Sequence, residues 1–278
     1  MLGIRVIVGV VLFIGICAAF LLDWVWKTSF LLIVLVGAAA TLSLHELYCM
    51  AERRGLKPFK WLGLAWGIVL VSTTHWWGWK QGVCLPSWRL GMLLAGLVFA
   101  CFLAQVRRPT LSGTATNMGV TVLGALYIPF LLSFFIGIDH LDNGGAGAVL
   151  YVVFAAKAGD IGGYSAGRMF GGPRLAPVVS PNKTIAGAIG GLVLSVAVGT
   201  LSGGLLVHKL SMVGILVGSA LIGVTAQLGD LCESMIKRDL EVKDAGNKLP
   251  GYGGVLDLMD CLITAGPVAY LYFQLMGG

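Results

Sequence analysis

The sequence predicts an all-α polytopic membrane protein of about nine transmembrane helices, with the N-terminus in the cytoplasm and the C-terminus outside. Hydrophobic residues make up 57% of the 278 residues and charged residues only 12%, whereas soluble domains carry about 25% charged residues. The mean hydropathy is +0.89, and the apolar residues fall in long runs. This composition excludes an ordinary soluble globular protein and a disordered chain.

Nine apolar runs approach the length of about 20 residues that a spanning helix needs. In chain order they are residues 4–22, 29–47, 61–79, 88–104, 118–138, 146–165, 185–207, 212–230 and 255–276. The third and fourth are the weakest, because the tryptophans at their facing ends are typical of a membrane interface: Trp76, Trp77, Trp79 and Trp88. The first run could also be a cleaved signal peptide. It lacks the cationic region and the small-residue cleavage motif of such a peptide, so we interpret it as a retained span.

The basic residues predict the orientation, because cytoplasmic loops of membrane proteins are enriched in Lys and Arg. With nine spans and a cytoplasmic N-terminus, only four basic residues lie outside: Lys27, Lys80, Arg89 and Lys209. The other fifteen lie on the cytoplasmic side, and removing one span would mix the two sets. The same rule explains the net charge of +6, so we expect no nucleic-acid partner.

The acidic residues are concentrated in the second half of the chain. Eight of the thirteen lie between residues 160 and 260: Asp160, Asp230, Glu233, Asp239, Glu241, Asp244, Asp257 and Asp260. We therefore predict a single integral membrane domain, 1–278, in which residues 1–145 are mainly scaffold. Residues 146–278 form the catalytic half, with a site that faces the cytoplasm.

The segment 230–260 alternates acidic residues, basic residues and glycines. Asp230 and Asp257 come from different predicted helices, and a carboxylate at the mouth of a span must be paired, solvated or bound to metal. They predict a site for a divalent cation, because Mg²⁺ favours one or two carboxylates completed by phosphates and water. The basic side chains between them suit a triphosphate: Lys237, Arg238, Lys243 and Lys248.

A second segment, 157–191, combines Asp160 with a Gly-rich connector and the sequence SPNKT. Ser180 and Thr184 suit the start of the seventh span, and a helix N-terminus beside Lys183 is a natural position for an anion. A capped helix with ordinary cytoplasmic charges is the alternative interpretation of this segment.

Together the two segments resemble the CDP-diacylglycerol synthase (phosphatidate cytidylyltransferase) family. The matching residues are Ser180-Pro181-Asn182-Lys183-Thr184, Gly229-Asp230-Leu231, Ser234-Met235-Ile236-Lys237-Arg238, Lys243-Asp244, Pro250-Gly251-Tyr252-Gly253-Gly254 and Asp257-Leu258-Met259-Asp260. His45-Glu46-Leu47 and Asn117 to Tyr127 are weaker echoes of the family pattern. The chain departs from that pattern at Asn182, Ala186, Tyr252 and Leu258, where the family usually has Lys, Glu, His and Arg.

The resemblance implies an enzyme that makes CDP-diacylglycerol and pyrophosphate from CTP and phosphatidate with Mg²⁺ or Mn²⁺, in a bacterial inner membrane. Asp230 and Asp257 would hold the metal, and Lys237 and Arg238 would act with them in catalysis. The remaining candidates would bind substrate: Asp160, Ser180, Lys183, Thr184, Ser234, Lys243, Asp244, Gly253 and Asp260. The expected partners are CTP, phosphatidate and membrane lipids, and a homodimer is compatible with this assignment.

Two other functions remain open. One is a related CTP-using lipid enzyme, such as a cytidylyltransferase for an isoprenoid lipid phosphate or a polyprenol kinase, because sequence fixes little of a pocket's shape. The other is a transporter, but transporters place binding residues near the membrane midplane, often in repeated halves. This chain shows charges clustered at one membrane face and no internal repeat.

The predicted topology can be tested by cysteine accessibility on a cysteine-free background. Residues 45–60, 105–117, 166–184 and 231–254 are expected in the cytoplasm, because they carry most of the basic residues. A cysteine placed at Asn247 should therefore react with a membrane-impermeant reagent only after the membrane is opened. Labelling of that cysteine in sealed cells would contradict the orientation.

Overall fold

The computed structural model is predominantly helical and describes residues 28–81, 87–141, 145–246 and 253–276, with a few isolated positions before residue 28. The helices are α1 (Phe30–Arg53), α2 (Lys60–Gln81), α3 (Ser87–Val106), α4 (Thr114–Ala125), α5 (Leu131–His140), α6 (Ala146–Phe170), α7 (Ile185–Leu206), α8 (Met212–Asp239) and α9 (Val255–Met276). A π-helical segment, Leu126–Phe130, joins α4 to α5, and two short strands precede α7: β1 (Arg174–Ala176) and β2 (Ser180–Thr184).

Seven helices in the described part of the chain are long and apolar enough to cross a membrane. They are α1, α3, the continuous helix Thr114–His140, α6, α7, α8 and α9, and they confirm seven of the predicted spans. The predicted span 61–79 is helical as α2 but is not among the seven. The predicted span 4–22 lies almost entirely outside the described residues.

The described residues form two compact units. The first unit comprises Met1–Gly137 and Asp239–Met259, and the second comprises Ile138–Arg238 and Asp260–Gly278. The prediction of a single membrane domain stays a prediction.

Hydrogen bonds between side chains and backbone tie the helices of the first unit together. The hydroxyl group of Tyr48, on α1, donates to the carbonyl of Thr121 on α4 at 2.7 Å. The backbone N–H of Phe59, just before α2, donates to Oγ1 of the same threonine at 2.8 Å. Since these side chains are buried, the bonds satisfy polar groups that would otherwise be costly in an apolar interior.

Glycines form the contact between α6 and α7 in the second unit. A Cβ atom at Gly162 would lie 2.6 Å from the carbonyl oxygen of Gly190 and 2.7 Å from Cβ of Leu194. On α7, a Cβ at Gly187 would lie 2.8 Å from the carbonyl oxygen of Gly163, and a Cβ at Gly191 would lie 2.8 Å from that of Gly159. Small residues allow membrane helices to pack backbone against backbone, so this sequence pattern fixes the two helices against each other.

Two features of the second unit differ from the prediction. The segment after α6 is not simply a connector into a helix, because β1 and β2 pair antiparallel, with Arg174 opposite Thr184. Ser180 lies in this hairpin and does not start a helix. Thr184 does cap α7, because its Oγ1 accepts the N–H of Gly187 at 3.0 Å. Prolines at 173, 177 and 181 explain the extended backbone, since proline cannot donate within a helix.

Helices α6 and α8 also extend beyond the predicted ends of their spans. Helix α6 continues to Phe170 and helix α8 to Asp239, so Arg168, Lys237 and Arg238 lie on helices rather than in loops. Apolar length alone determines where a span leaves the hydrocarbon, whereas backbone hydrogen bonding allows the helix to continue into the polar region.

Candidate active site

Three carboxylates on α8 and α9 lie close together in the second unit. Asp230 and Glu233 are one turn apart on α8, and Asp260 is on α9. One oxygen from each lies within 4.8 Å of the others. Glu233 is fully buried and Asp260 is 8% exposed, so their charge must be compensated. We call Asp230, Glu233 and Asp260 the Glu233 cluster.

Two lysines supply part of that compensation. Nζ of Lys183, at the end of β2, lies 2.7 Å from Oδ2 of Asp230. Nζ of Lys237, one turn after Glu233 on α8, lies 2.5 Å from Oε2 of that residue. The hydroxyl group of Ser234 donates to Oδ1 of Asp230 at 3.5 Å. The hairpin therefore brings a distant cation to the acidic face of α8.

Arg238 reaches a different partner. Its Nε donates to the carbonyl of Val179, in the turn between β1 and β2, at 3.3 Å. Arg238 thus holds the hairpin that carries Lys183, although its side chain is exposed. This contact gives it a local structural role besides any contact with a phosphate.

A second group of potential ligands shares Asp260 with the Glu233 cluster. Asp160, Asp260 and Cys261 each place one ligand atom within 4.8 Å of the others. We call these three residues the Cys261 cluster. Nζ of Lys157, one turn before Asp160 on α6, lies 3.2 Å from Oδ2 of that aspartate.

In the first unit, Asp257 organises the turn that precedes α9. Its Oδ2 accepts the backbone N–H of Gly254 at 2.7 Å and that of Ala245 at 3.0 Å. The bond to Gly254 is the reciprocal half of a capping box, in which the third helical residue binds the residue before the helix. Gly253 has φ of +97°, a left-handed conformation that favours glycine.

Glu46, from the predicted scaffold, caps the same helix from far away in the sequence. Its Oε2 accepts the N–H of Leu256 at 2.9 Å, and the side chain is buried. The glycines of the motif make room for this carboxylate, since a Cβ at Gly246 would lie 3.1 Å from Oε1 and a Cβ at Gly254 would collide with Oε2. Glu46 thus stabilises the start of the helix that carries the predicted aspartates.

The second unit brings most of the predicted acidic and basic residues together. Asp160, Lys183, Asp230, Ser234, Lys237 and Asp260 belong to the two clusters or contact them. Lys243 and Asp244 are exposed in the segment after α8, and Asp257 and Gly253 lie in the first unit. Lys248 and Tyr252 lie outside the described residues. The metal role predicted for Asp257 stays a prediction.

Sequence reasoning did not select four residues that the structure places at these positions: Glu46, Lys157, Glu233 and Cys261. A helical spacing of three signals two of them, because Lys157 precedes Asp160 and Glu233 follows Asp230 by one turn. Glu46 belongs to the weak echo His45-Glu46-Leu47, but no local spacing indicates its capping role, since its partner is 210 residues away.

The fold and these clusters define an integral membrane protein in which helices and a hairpin assemble carboxylates, two of them buried, with lysines. The profile of the cytidylyltransferase family matches residues 3–276, so the chain belongs to that family.

Curated relatives are named phosphatidate cytidylyltransferase. The protein of Brucella suis is 34% identical over 257 residues, which are 90% of this chain and 86% of the relative. That of Mycobacterium bovis is 34% identical over 193 residues, or 67% of this chain and 62% of the relative. That of Bacillus subtilis is 36% identical over 162 residues, which are 58% of this chain and 60% of the relative. The matches to the Mycobacterium bovis and Bacillus subtilis relatives thus span about three fifths of the length of those proteins.

The cap provided by Glu46 predicts a measurable contribution to stability. Glu46→Ala should lower the free energy of unfolding by about 0.5–2 kcal/mol, the usual cost of losing a capping acceptor, and lower the thermal midpoint in detergent. Glu46→Gln should retain most of the stability, because it keeps a carbonyl oxygen. Glu52→Ala is the matched control on α1, since Glu52 makes only a surface ion pair with Lys60. Equal midpoints for Glu46→Ala and Glu52→Ala would contradict the capping role.

Proposed function

We propose that the chain is a phosphatidate cytidylyltransferase, which makes CDP-diacylglycerol and pyrophosphate from CTP and phosphatidate. The observation that carries the proposal is the Glu233 cluster with its two lysines in a member of the cytidylyltransferase family. The names of the curated relatives support the same substrates.

The proposed reaction needs positioning and charge stabilisation rather than a protein nucleophile. A phosphate oxygen of phosphatidate attacks the α-phosphorus of CTP, a new P–O bond forms, and the bond to the β-phosphate oxygen breaks. Pyrophosphate leaves with the electron pair of that bond. Phosphoryl-transfer sites achieve this with aligned reactants and fixed positive charge. The phosphate is already ionised, so the reaction needs no histidine to remove a proton from it. The Glu233 cluster and its two lysines agree with this requirement.

The donor set of the Glu233 cluster fits a divalent cation such as Mg²⁺ or Mn²⁺. Three carboxylates supply oxygen ligands, which hard cations prefer, and their oxygens lie within 4.8 Å of one another. Asp230, Glu233 and Asp260 would hold the ion, and the metal role of Asp257 is proposed from the sequence pattern alone. When bound, the ion would neutralise phosphate charge and the charge that develops on the leaving pyrophosphate.

The lysines would bind the triphosphate. Lys183 and Lys237 are 25% and 12% exposed at their side chains, so each ammonium is partly desolvated and interacts more strongly with an anion than in water. Both lie beside carboxylates of one cluster, which supports their acting on one ligand. Arg238 would contribute by holding the hairpin that carries Lys183.

We further propose nine spans, a cytoplasmic N-terminus, an external C-terminus and a site that faces the cytoplasm of a bacterial inner membrane. The distribution of basic residues supports this orientation, and CTP would enter from that side. Apolar side chains on the helices are exposed and suit contact with lipid; Leu201 and Leu205 on α7, for example, are each 68% exposed. The acyl chains of the substrate would then stay in the bilayer beside these helices.

A labelled-CTP assay with purified protein in detergent tests the reaction. We expect a CDP-lipid with phosphatidate, and no product after chelation of divalent ions or with Asp230→Asn, whose amide is a weaker ligand. A panel that includes isoprenoid phosphates and free polyprenol distinguishes the related lipid enzymes. Product from those lipids but not from phosphatidate would reassign the substrate. Uptake of labelled substrate by sealed vesicles without any chemical change would indicate a transporter.

The two lysines are predicted to act on the same phosphate chain. Lys183→Ala and Lys237→Ala should each reduce turnover at least tenfold, because a lost oxyanion-type contact costs about 2.7–4 kcal/mol, or roughly 10²–10³ in rate. The double variant should lose less than the product of the two single effects. Arg53→Ala and Lys57→Ala, which remove exposed cations of the first unit, should leave turnover unchanged.

Thermal midpoints of the lysine variants show whether loss of a partner of a buried carboxylate has unfolded the protein. Independent effects of the two lysines in folded variants, or equal losses in the Arg53 and Lys57 controls, would refute a shared phosphate site.

A further inference from the structure

Lys157 brings a positive charge into the Cys261 cluster. Its Nζ lies 3.2 Å from Oδ2 of Asp160 and hydrogen-bonds to Cys261, while Asp260 is near enough to interact with it electrostatically. An ammonium group has three N–H donors and no acceptor. It can therefore satisfy two carboxylates and a sulfur atom at once, which is what the Cys261 cluster presents.

The two clusters share Asp260 but differ in how lysines pair with their acidic groups. In the Glu233 cluster two lysines are paired with different carboxylates, Lys183 with Asp230 and Lys237 with Glu233. In the Cys261 cluster Lys157 is paired with Asp160 and also interacts with Asp260 and Cys261. A divalent ion added there would have to displace an ammonium that already interacts with all three of the cluster's ligand groups.

We propose that the ammonium of Lys157 takes the cation position of the Cys261 cluster, so that a divalent ion binds only at the Glu233 cluster. Lys157 is then a positioning residue, which holds Asp260 in place as a ligand of that ion and keeps a second ion out. This inference rests on the proposed metal-dependent function.

The residues around Lys157 favour a built-in cation over an exchangeable one. Asp260 and Cys261 are buried, and Asp160 and Lys157 lie one turn apart on α6, whose glycine face is fixed against α7. A lysine attached to this helix is present at a high effective concentration, since no free ion has to be captured from solution. The cluster thus keeps its charge balance when the divalent ion leaves.

Mn²⁺ binding measured by electron paramagnetic resonance on the full-length protein in detergent tests the proposal. We expect one Mn²⁺ per chain in the wild type and in Lys157→Arg, which keeps the charge. Lys157→Met, which has similar length and no charge, should bind two. Asp160→Asn in the Lys157→Met background should return the number to one. Lys57→Met, which removes an exposed cation, is the matched control and should bind one.

Two results would overturn the proposal. One is a folded Lys157→Met protein that binds the same number of ions as the wild type with the same affinity. The other is the loss of an ion from the wild type on Asp160→Asn alone, because the Cys261 cluster would then be a metal site in spite of Lys157. This second arm does not require Lys157→Met to fold.

Failure of the proposed function gives a different result. A wild type that binds no Mn²⁺ and is unaffected by chelators would count against the metal-dependent reaction. The role of Lys157 is then decided by the number of Mn²⁺ ions that Lys157→Met binds. One ion more than in the wild type, lost again when Asp160→Asn is added, supports the role. An unchanged number refutes it.

Discussion

The cost of placing carboxylates among apolar helices is the constraint on which the second unit depends. Asp230, Glu233 and Asp260 lie within 4.8 Å of one another, and two of the three are buried. Uncompensated, such charges would oppose folding by several kcal/mol each. Lysines at 157, 183 and 237 compensate these charges, since the ammonium group of each lies within 3.2 Å of a carboxylate oxygen. The same balance of negative and positive groups would serve the metal and polyphosphate binding that is proposed for this cluster.

Close helix packing makes this compensation feasible. The glycines of α6 and α7 allow the two backbones to approach until a single Cβ would collide, and this fixes the position from which Lys157 and Asp160 project. The hairpin before α7 then places Lys183 beside α8, and Arg238 secures the turn of that hairpin. Small residues and short strands thus act together to place long charged side chains, whose ordering costs conformational entropy.

The first unit applies the same principle to a helix end. The N–H groups at the start of a helix need acceptors, and Asp257 and Glu46 provide them for Gly254 and Leu256. Asp257 also binds Ala245, so one carboxylate oxygen joins two parts of the turn. Part of the acidic pattern near α9 therefore has a structural purpose, and the glycines of that turn are needed for space as well as for backbone conformation.

The sequence by itself determined the helical membrane class, seven of the spans and the cap at Thr184, and it selected Asp160, Asp230 and Asp260 among the members of the two clusters. These features follow from local hydropathy, from side-chain types and from spacings of three or four residues, all of which act over short distances along the chain. It did not determine the hairpin, the true ends of α6 and α8, or the roles of Glu46 and Lys157. Those depend on contacts between helices, such as the bond between residues 46 and 256, and only the tertiary structure decides them, because the compensation of a buried charge is set by what lies nearby in space.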